Sequence, residues 1–373
     1  SFQVFGGINN DNRFSPLDTE ALITAMEEAM PHGKEGFTMT FKSGHYSTIC
    51  AGGRQTKGEL NGVMGTANMP VKCTITMDID REWNDKHKSL NTQGQYAHYD
   101  AGIIMAGNHE GAMFGDVDII IKRGKVGRLV NGTLGAYRET NTTINAPYNT
   151  YMGRASITLD PMKDENGSPK HSDIVVTELY GGSCGRGFTN ANEIENPFYG
   201  HAKVTINGGT FKYLGSNDNG NLQKGIFGAG AGGMNGIGDG QTPDERIGYW
   251  DGKVMKFGTY ETAKTNLLKY NCYNADTHTY TEISPLDTKT EMIINGGEFG
   301  TDAAPIDGVY AGGSGYMAPG LWTNAPKAIP SRHGGNIYGT KGQTVVSLTI
   351  NGGTFYCTEG VFAGGRGTDY YYK

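Results

Sequence analysis

Charge is scarce in this chain, and long apolar runs are missing. Charged residues make up 19% of the 373, against 36% hydrophobic. No apolar stretch approaches the roughly 18 residues of a membrane-spanning helix. The net charge of −6 and a pI near 5.9 argue against a general nucleic-acid or membrane-surface binder. Cysteine is sparse too: Cys50, Cys73, Cys184, Cys272 and Cys357 are far apart, odd in number and form no CxxC pair. That supports neither a disulfide scaffold nor a zinc site, and the cysteines read as small buried hydrophobes. The opening Ser-Phe-Gln shows neither an initiator Met nor a signal peptide, so a processed or excised fragment is expected.

Glycine is what the chain has in excess. Its 59 copies are roughly twice the usual share. They follow no strict Gly-X-Y period, which excludes collagen. Aromatics at 10% are too frequent for a disordered chain. Gly costs a helix interior about 1 kcal/mol against Ala, so a long-helix protein is excluded as well. A β-rich or repeat protein remains.

The repeat is visible directly. VTINGGTF at Val204–Phe211, MIINGGEF at Met292–Phe299 and LTINGGTF at Leu348–Phe355 are copies of one motif. Weaker copies start at Met39, Ile75, Ile119 and Ile157. A second motif follows, ending in Gly-Gly or a relative of it: VFGG at Val4, ICAGG at Ile49, LYGG at Leu179, VYAGG at Val309 and VFAGG at Val361 among them. A third, aromatic-Gly motif precedes most copies of the first: MFG at Met113, YMG at Tyr151, FYG at Phe198. Short β-branched or aromatic pieces ended by Gly are strand and turn chemistry. Three such pieces in a fixed order predict the sides of a coil that stacks on the next coil.

Aligned columns sharpen this. Met39, Ile75, Ile119, Ile157, Val204, Met292 and Leu348 form one apolar column. Phe41, Met77, Ile121, Leu159, Ile206, Ile294 and Ile350 form another, two residues on. Period two puts both on one face. The next outward column reads Lys42, Asp78, Lys122, Asp160, Asn207, Asn295, Asn351. Alternating charges and then an amide run make sense as a structural ladder if successive copies are neighbours. About half of the glycines fall at periodic corners of this scheme.

These INGG and VFAGG repeats, with the Asn207, Asn295, Asn351 run, resemble the right-handed parallel β-helix proteins of the pectin-lyase-like superfamily. They are also similar to Gly-rich repeat regions of secreted and surface proteins of gut bacteria. The resemblance implies an all-β fold: one right-handed parallel β-helix over residues 1–373, of about seven three-strand coils, with long inserts. It also implies an extracellular or cell-surface bacterial location. Lyases, glycoside hydrolases, tailspikes and adhesins share that architecture, so fold alone does not select a function.

The inserts are where binding is expected. Residues 8–37 predict one short helix, with Ser15 as N-cap, Pro16 in the first turn and Leu22, Ile23, Met26 and Met30 as its apolar stripe. Residues 234–290 are long enough for a small subdomain. All three Trp lie in inserts. Trp83, Tyr99, Tyr249, Trp250, Tyr316 and Trp322 are candidates for stacking on sugar rings. Arg54, His109, Arg138 and Arg186, with Arg366, follow the Gly-Gly corners and read as one column that could face an anionic glycan.

No catalytic signature stands out. Neither GHG nor RIK, which the resemblance would require of a hydrolase, is present. Asp78, Asp160, Glu178 and Glu298 are available carboxylates without a distinguishing pattern. Ser216–Asn221 and Asp164–Ser168 have a faint Ca²⁺-loop look without the late bidentate Glu. The expectation is an extracellular glycan-binding or adhesin-type module without catalysis and without a cofactor. Its partner would be a polysaccharide, a host glycan or further repeats of the same polypeptide. A polysaccharide lyase or glycoside hydrolase, and a structural or host-protein-binding stalk, stand as the alternatives.

Overall fold

The computed structural model describes residues 2–6, 9–10, 36–55, 70–80, 82, 84, 99–109, 113–134, 151–184, 198–214, 225–231, 247–250, 255–258, 272–274, 279–283, 288–317, 329–330 and 345–367. The predicted helix of residues 15–30 lies outside them. Helix among the described residues is confined to a 3₁₀ turn at His171–Asp173 and one turn around Glu82 and Asn84. Everything else that is regular is β.

Seven strands make a first parallel ladder. In spatial order they are β3 (Phe37–Phe41), β6 (Val71–Asp78), β8 (Met113–Val130), β9 (Tyr151–Leu159), β11 (Phe198–Ile206), β18 (Lys289–Ile294) and β23 (Val346–Ile350). A second parallel ladder runs β1 (Phe2–Phe5), β4 (Tyr46–Cys50), β7 (Ala101–Met105), the end of β8, β10 (Ile174–Tyr180), β13 (Gly225–Phe227), β20 (Ile306–Tyr310) and β25 (Cys357–Phe362). Short strands β12 (Thr210–Phe211), β19 (Glu298–Phe299) and β24 (Thr354–Phe355) continue in parallel from the start of β10. Together these 17 strands form one curled, all-parallel sheet. The chain passes from the first ladder to the second and back, one strand further along each time. β2 (Asn9–Asn10) pairs in parallel with β5 (Arg54–Gln55). Within the inserts, β14 (Ile247–Trp250) with β15 (Met255–Gly258), β16 (Cys272–Asn274) with β17 (Thr279–Ile283), and β21 (Tyr316–Met317) with β22 (Ile329–Pro330) are antiparallel pairs.

The expected columns are the observed register. Met39, Ile75, Ile119, Ile157, Val204, Met292 and Leu348 pair strand to strand, and so do Phe41, Met77, Ile121, Leu159, Ile206, Ile294 and Ile350. Most of these residues join Ile49, Ile104, Leu129, Leu179, Ile226 and Val309 of the second ladder in one core. Alternation therefore points the apolar face of each ladder at the other.

Two details of the sequence reading change. The aromatic-Gly motif is not a separate strand. Gly115, Gly153 and Gly200 pair within β8, β9 and β11, the strands that also carry the first motif. The third strand is instead the short Thr-Phe or Glu-Phe pair after INGG. The charge column also shifts. A bulge between Met77 and Asp78 pairs Asp78 with Arg123, and Lys122 drops out of the row and is exposed. Extra chain in one strand of a pair leaves one residue unpaired and re-aims its neighbours.

Rings stack along the ladders as the apolar columns do. Tyr180, Phe227, Tyr310 and Phe362 form a continuous row with centroids 5.2, 5.0 and 5.1 Å apart. Phe211, Phe299 and Phe355 form a second row at 4.4 and 4.5 Å. These separations follow the spacing of neighbouring strands, about 4.8 Å.

Gly200, like Gly153 beside it, is among the positions least open to change. Its φ is +125°, and a Cβ there would overlap the carbonyl oxygen of Gly153 on the neighbouring strand. Gly167 has φ +81° but open space around it. Gly200→Ala is expected to lower the unfolding free energy by more than about 2 kcal/mol, and Gly167→Ala by only about 1 kcal/mol. Urea titration of the two variants side by side checks both.

Candidate functional site: the outer face of the second ladder

Between its outermost strands, from β4 to β20, the second ladder is buried on both faces. Its inner face joins the main core. Its outer face carries a separate cluster of Cys50, Met105, Val130, Tyr180, Phe227 and Tyr310, on which Leu134, Cys184 and Ala231 pack. Those last three belong to a row of single-residue parallel bridges running His109, Leu134, Cys184, Ala231, Ser314, Arg366. The amide of each later member donates to the carbonyl one residue before the preceding member, as in Cys184 to Thr133 and Ala231 to Ser183. His109 donates in the same way to Gly53, which makes Arg54 the preceding member.

This row is where the chain leaves the sheet. The insert with Arg138 starts after Leu134, the insert with Arg186 after Cys184, the insert with Tyr249 and Trp250 after Ala231, and the insert with Trp322 after Ser314. Each returns to the first ladder, at Tyr151, Phe198, Lys289 and Val346. Four inserts are therefore anchored at successive positions of one flank. Tyr249 and Trp250 lie on β14, opposite Lys256 and Met255. Tyr316 lies on β21, opposite Pro330. Trp83, Trp322, Arg138 and Arg186 lie outside the described residues.

Three expectations about individual residues need correction. Tyr99 is buried, and its hydroxyl is 3.0 Å from Oγ1 of Thr177. It packs the sheet and does not present a ring to solvent. Its segment also leaves after β6 and re-enters at β7, away from the flank that carries the other inserts. His109 is likewise buried. The basic column is broken: Leu134, Cys184, Ala231 and Ser314 separate His109 from Arg366. In the middle of the column it is packing on the aromatic row that suits Leu134, Cys184 and Ala231.

Two polar clusters decorate the same outer face. Arg128 and Glu178 pair in register and are wholly buried, with Nε donating to Oε2 at 2.5 Å. The guanidinium also lies 5.9 Å from the Tyr180 ring centroid. Burial alone would lower the Arg128 pKa, but the Glu178 carboxylate beside it holds it above its ordinary value. Burial, and then the same carboxylate, push the Tyr180 hydroxyl well up. Burial pushes the Cys184 thiol up to about 12, which leaves it protonated and unreactive. Further along, Arg366 donates to Asp307 at 3.2 Å and to Glu359, and the Tyr310 hydroxyl donates to Glu359. The sequence reading missed Arg128 and Glu178 as a pair. The signal was there: both stand one residue before aligned Leu129 and Leu179.

The first ladder uses its charges structurally. Asp78 accepts from Lys42 at 2.6 Å and from Arg123 at 2.5 Å. Arg154 holds Asp116 at 2.7 Å and Asp118 at 2.6 Å. The amide row is continuous: Asn351 donates to Asn295 at 2.7 Å, Asn295 to Asn207 at 2.8 Å, and Asn207 to Asp160 at 3.2 Å. Glu298 accepts from the Thr210 hydroxyl at 3.1 Å. Asp164 folds back on the amides of Asn166 and Ser168 at 2.9 Å, which makes Asp164–Ser168 a turn. Among the described residues no group of three or more His, Cys, Asp or Glu is placed to hold a metal ion.

Removing one member of the buried pair takes from the other the opposite charge beside it. Arg128→Met is expected to cost about 3–5 kcal/mol, while Arg128→Met with Glu178→Leu returns to near the parent value or above it. Denaturant unfolding of both variants gives the difference. Asp78 supplies a pH signature. Burial would raise its pKa, but the hydrogen bonds and charges of Arg123 and Lys42 outweigh it and the value is lowered. Its stabilisation is therefore complete above the ordinary Asp value of about 3.9 and lost as pH falls through the lower folded value. Asp78→Asn should flatten the fall in stability below about pH 4, as read from melting temperature against pH.

In comparison with known proteins, the chain matches no protein-family model, no curated protein and no solved structure, so its function rests on its own geometry.

Proposed function

We propose that this chain is a right-handed parallel β-helix of about seven coils, of the pectin-lyase-like kind, that binds a polysaccharide or host glycan outside the bacterial cell without cleaving it. The supporting observation is the common anchoring row. Inserts carrying Tyr249, Trp250, Tyr316 and Trp322 leave a rigid parallel sheet at neighbouring positions of one flank. Aromatic side chains on adjacent loops of a rigid scaffold suit a run of sugar rings, whose C–H faces stack on them.

A second observation favours binding over hydrolysis. Two of the four carboxylates that the sequence offered are buried in ion pairs, Asp78 with Lys42 and Arg123 and Glu178 with Arg128, which leaves only Asp160 and Glu298 of that set exposed. A general acid and base need carboxylates open to the substrate.

A glycan array tests the reading, run beside an assay for unsaturated product on uronate polymers. Retention of one glycan class is expected, with a loss of about tenfold or more, roughly 1.4 kcal/mol, in Trp250→Ala and Trp322→Ala. Release of ultraviolet-absorbing unsaturated product, or of reducing ends, would replace the binding module with a lyase or a hydrolase.

A further inference from the structure

Eight Asn-Gly pairs stand in the sequence, and five of them, at Asn131, Asn166, Asn207, Asn295 and Asn351, lie among the described residues. Asn-Gly closes on itself more readily than other Asn pairs, because glycine has no Cβ to keep its backbone nitrogen from the preceding carboxamide. The fold puts this one pair in two settings. Asn207 donates to Asp160 and accepts from Asn295, and Asn295 donates to Asn207 and accepts from Asn351. Asn131 is buried, with Nδ2 donating to the carbonyls of Ala155 at 2.8 Å and Lys203 at 3.2 Å. Asn166 differs. It sits in the Asp164–Ser168 turn, which the Lys163–Pro169 bridge closes. Its backbone amide donates to Asp164, but its carboxamide takes no hydrogen bond among the described residues. A Cβ on Gly167 would meet nothing within 4 Å. Asn166 and Asn295 are both exposed, so exposure does not separate them. The hold on the carboxamide does.

We propose that Asn166–Gly167 is a site of spontaneous covalent modification, and that the amide row shields the INGG corners from the same chemistry. The Gly167 nitrogen attacks Cγ of Asn166. The N–Cγ bond forms, the Cγ–Nδ2 bond breaks, and the amide proton leaves with Nδ2 as ammonia. Water then opens the succinimide at either carbonyl, which gives aspartate or isoaspartate at position 166. The Gly167 amide donates to the Asp164 carbonyl at 3.0 Å, but a bond in an exposed turn opens at little cost. At Asn295 the attack needs Cγ to swing towards its own backbone, which breaks both the bond it donates and the bond it accepts. A carboxylate there could no longer donate to Asn207, so modification would cut the row. At Asn166 it adds a negative charge beside Asp164 and Glu165 and takes no hydrogen bond from the sheet. The turn thus changes with the age of the molecule while the ladder does not.

Incubation of the folded 373-residue chain at mildly alkaline pH, followed by proteolysis and mass spectrometry, tests this. The fragment with Asn166 is expected to gain the mass of deamidation and to split into aspartate and isoaspartate forms. It should do so about a hundredfold faster than the fragments with Asn207 or Asn295, the scale on which misplaced reacting atoms slow a reaction. In concentrated urea all three sites are expected to react at similar rates. Similar rates in the folded chain would overturn the proposal. So would a contrast that survives in urea, since its cause would then lie in the local sequence. Two variants separate the parts. Gly167→Ala, for which the turn has space, should slow Asn166 and leave Asn295 as it was; an unchanged Asn166 rate would rule out attack by that nitrogen. Asn207→Ala removes the acceptor of the Asn295 carboxamide and should speed Asn295; an unchanged Asn295 rate would overturn the shielding.

Discussion

Every side chain on this sheet has its own counterpart as nearest neighbour, one strand spacing away. That constraint governs the rest of the structure. Parallel in-register strands place column on column at about 4.8 Å. Residue types that tolerate themselves at that distance can therefore run the length of the stack. Flat rings do so in the Tyr180–Phe362 and Phe211–Phe355 rows. Amides do so in the Asn207–Asn351 row, each donating to the one before it. Charges cannot, and they alternate or pair instead: Lys42, Asp78, Arg123 on one ladder and Arg128, Glu178 on the other.

The aromatic rows also depend on glycine within the same strand. The rings of Phe227, Tyr310 and Phe362 lie over Gly225, Gly308 and Gly360, two residues earlier. Phe299 and Phe355 lie over Gly297 and Gly353 in the same way. The ring covers backbone that would otherwise be bare, and the missing side chain lets the ring lie down. Gly-x-aromatic is thus one packing unit, and part of the glycine excess is a count of these units.

The columns were legible in the sequence because apolar alternation repeats seven times with little noise. The amide row was legible for the same reason. The bulge at Met77 was not, because the apolar columns that set the alignment stop at Ile121, and Lys122 and Arg123 carry the same charge. The two-residue strands at Phe211, Phe299 and Phe355 are too short to show a period. On the candidate site, the anchoring row was visible as Gly-Gly corners, but its chemistry was misread. Basic residues after the corners were grouped without a register, and His109 proved to share a column with Leu134 and Cys184. The Arg128–Glu178 pair was legible only after Leu129 and Leu179 were set on each other.

Identical repeats create an addressing problem for a folding chain. Any INGG strand would accept any other, so a slip by a whole circuit keeps every apolar column intact. The buried ion pair breaks that degeneracy. If β13 took the place of β10 beside β8, Gly225 would stand where Glu178 now sits, and Arg128 would be buried without its carboxylate. An unpartnered buried charge costs about 3–5 kcal/mol, a large share of the 5–15 kcal/mol by which folded proteins are stable. One pair of charged residues thus labels which strand comes next, in a scaffold whose hydrophobic code says the same thing at every step.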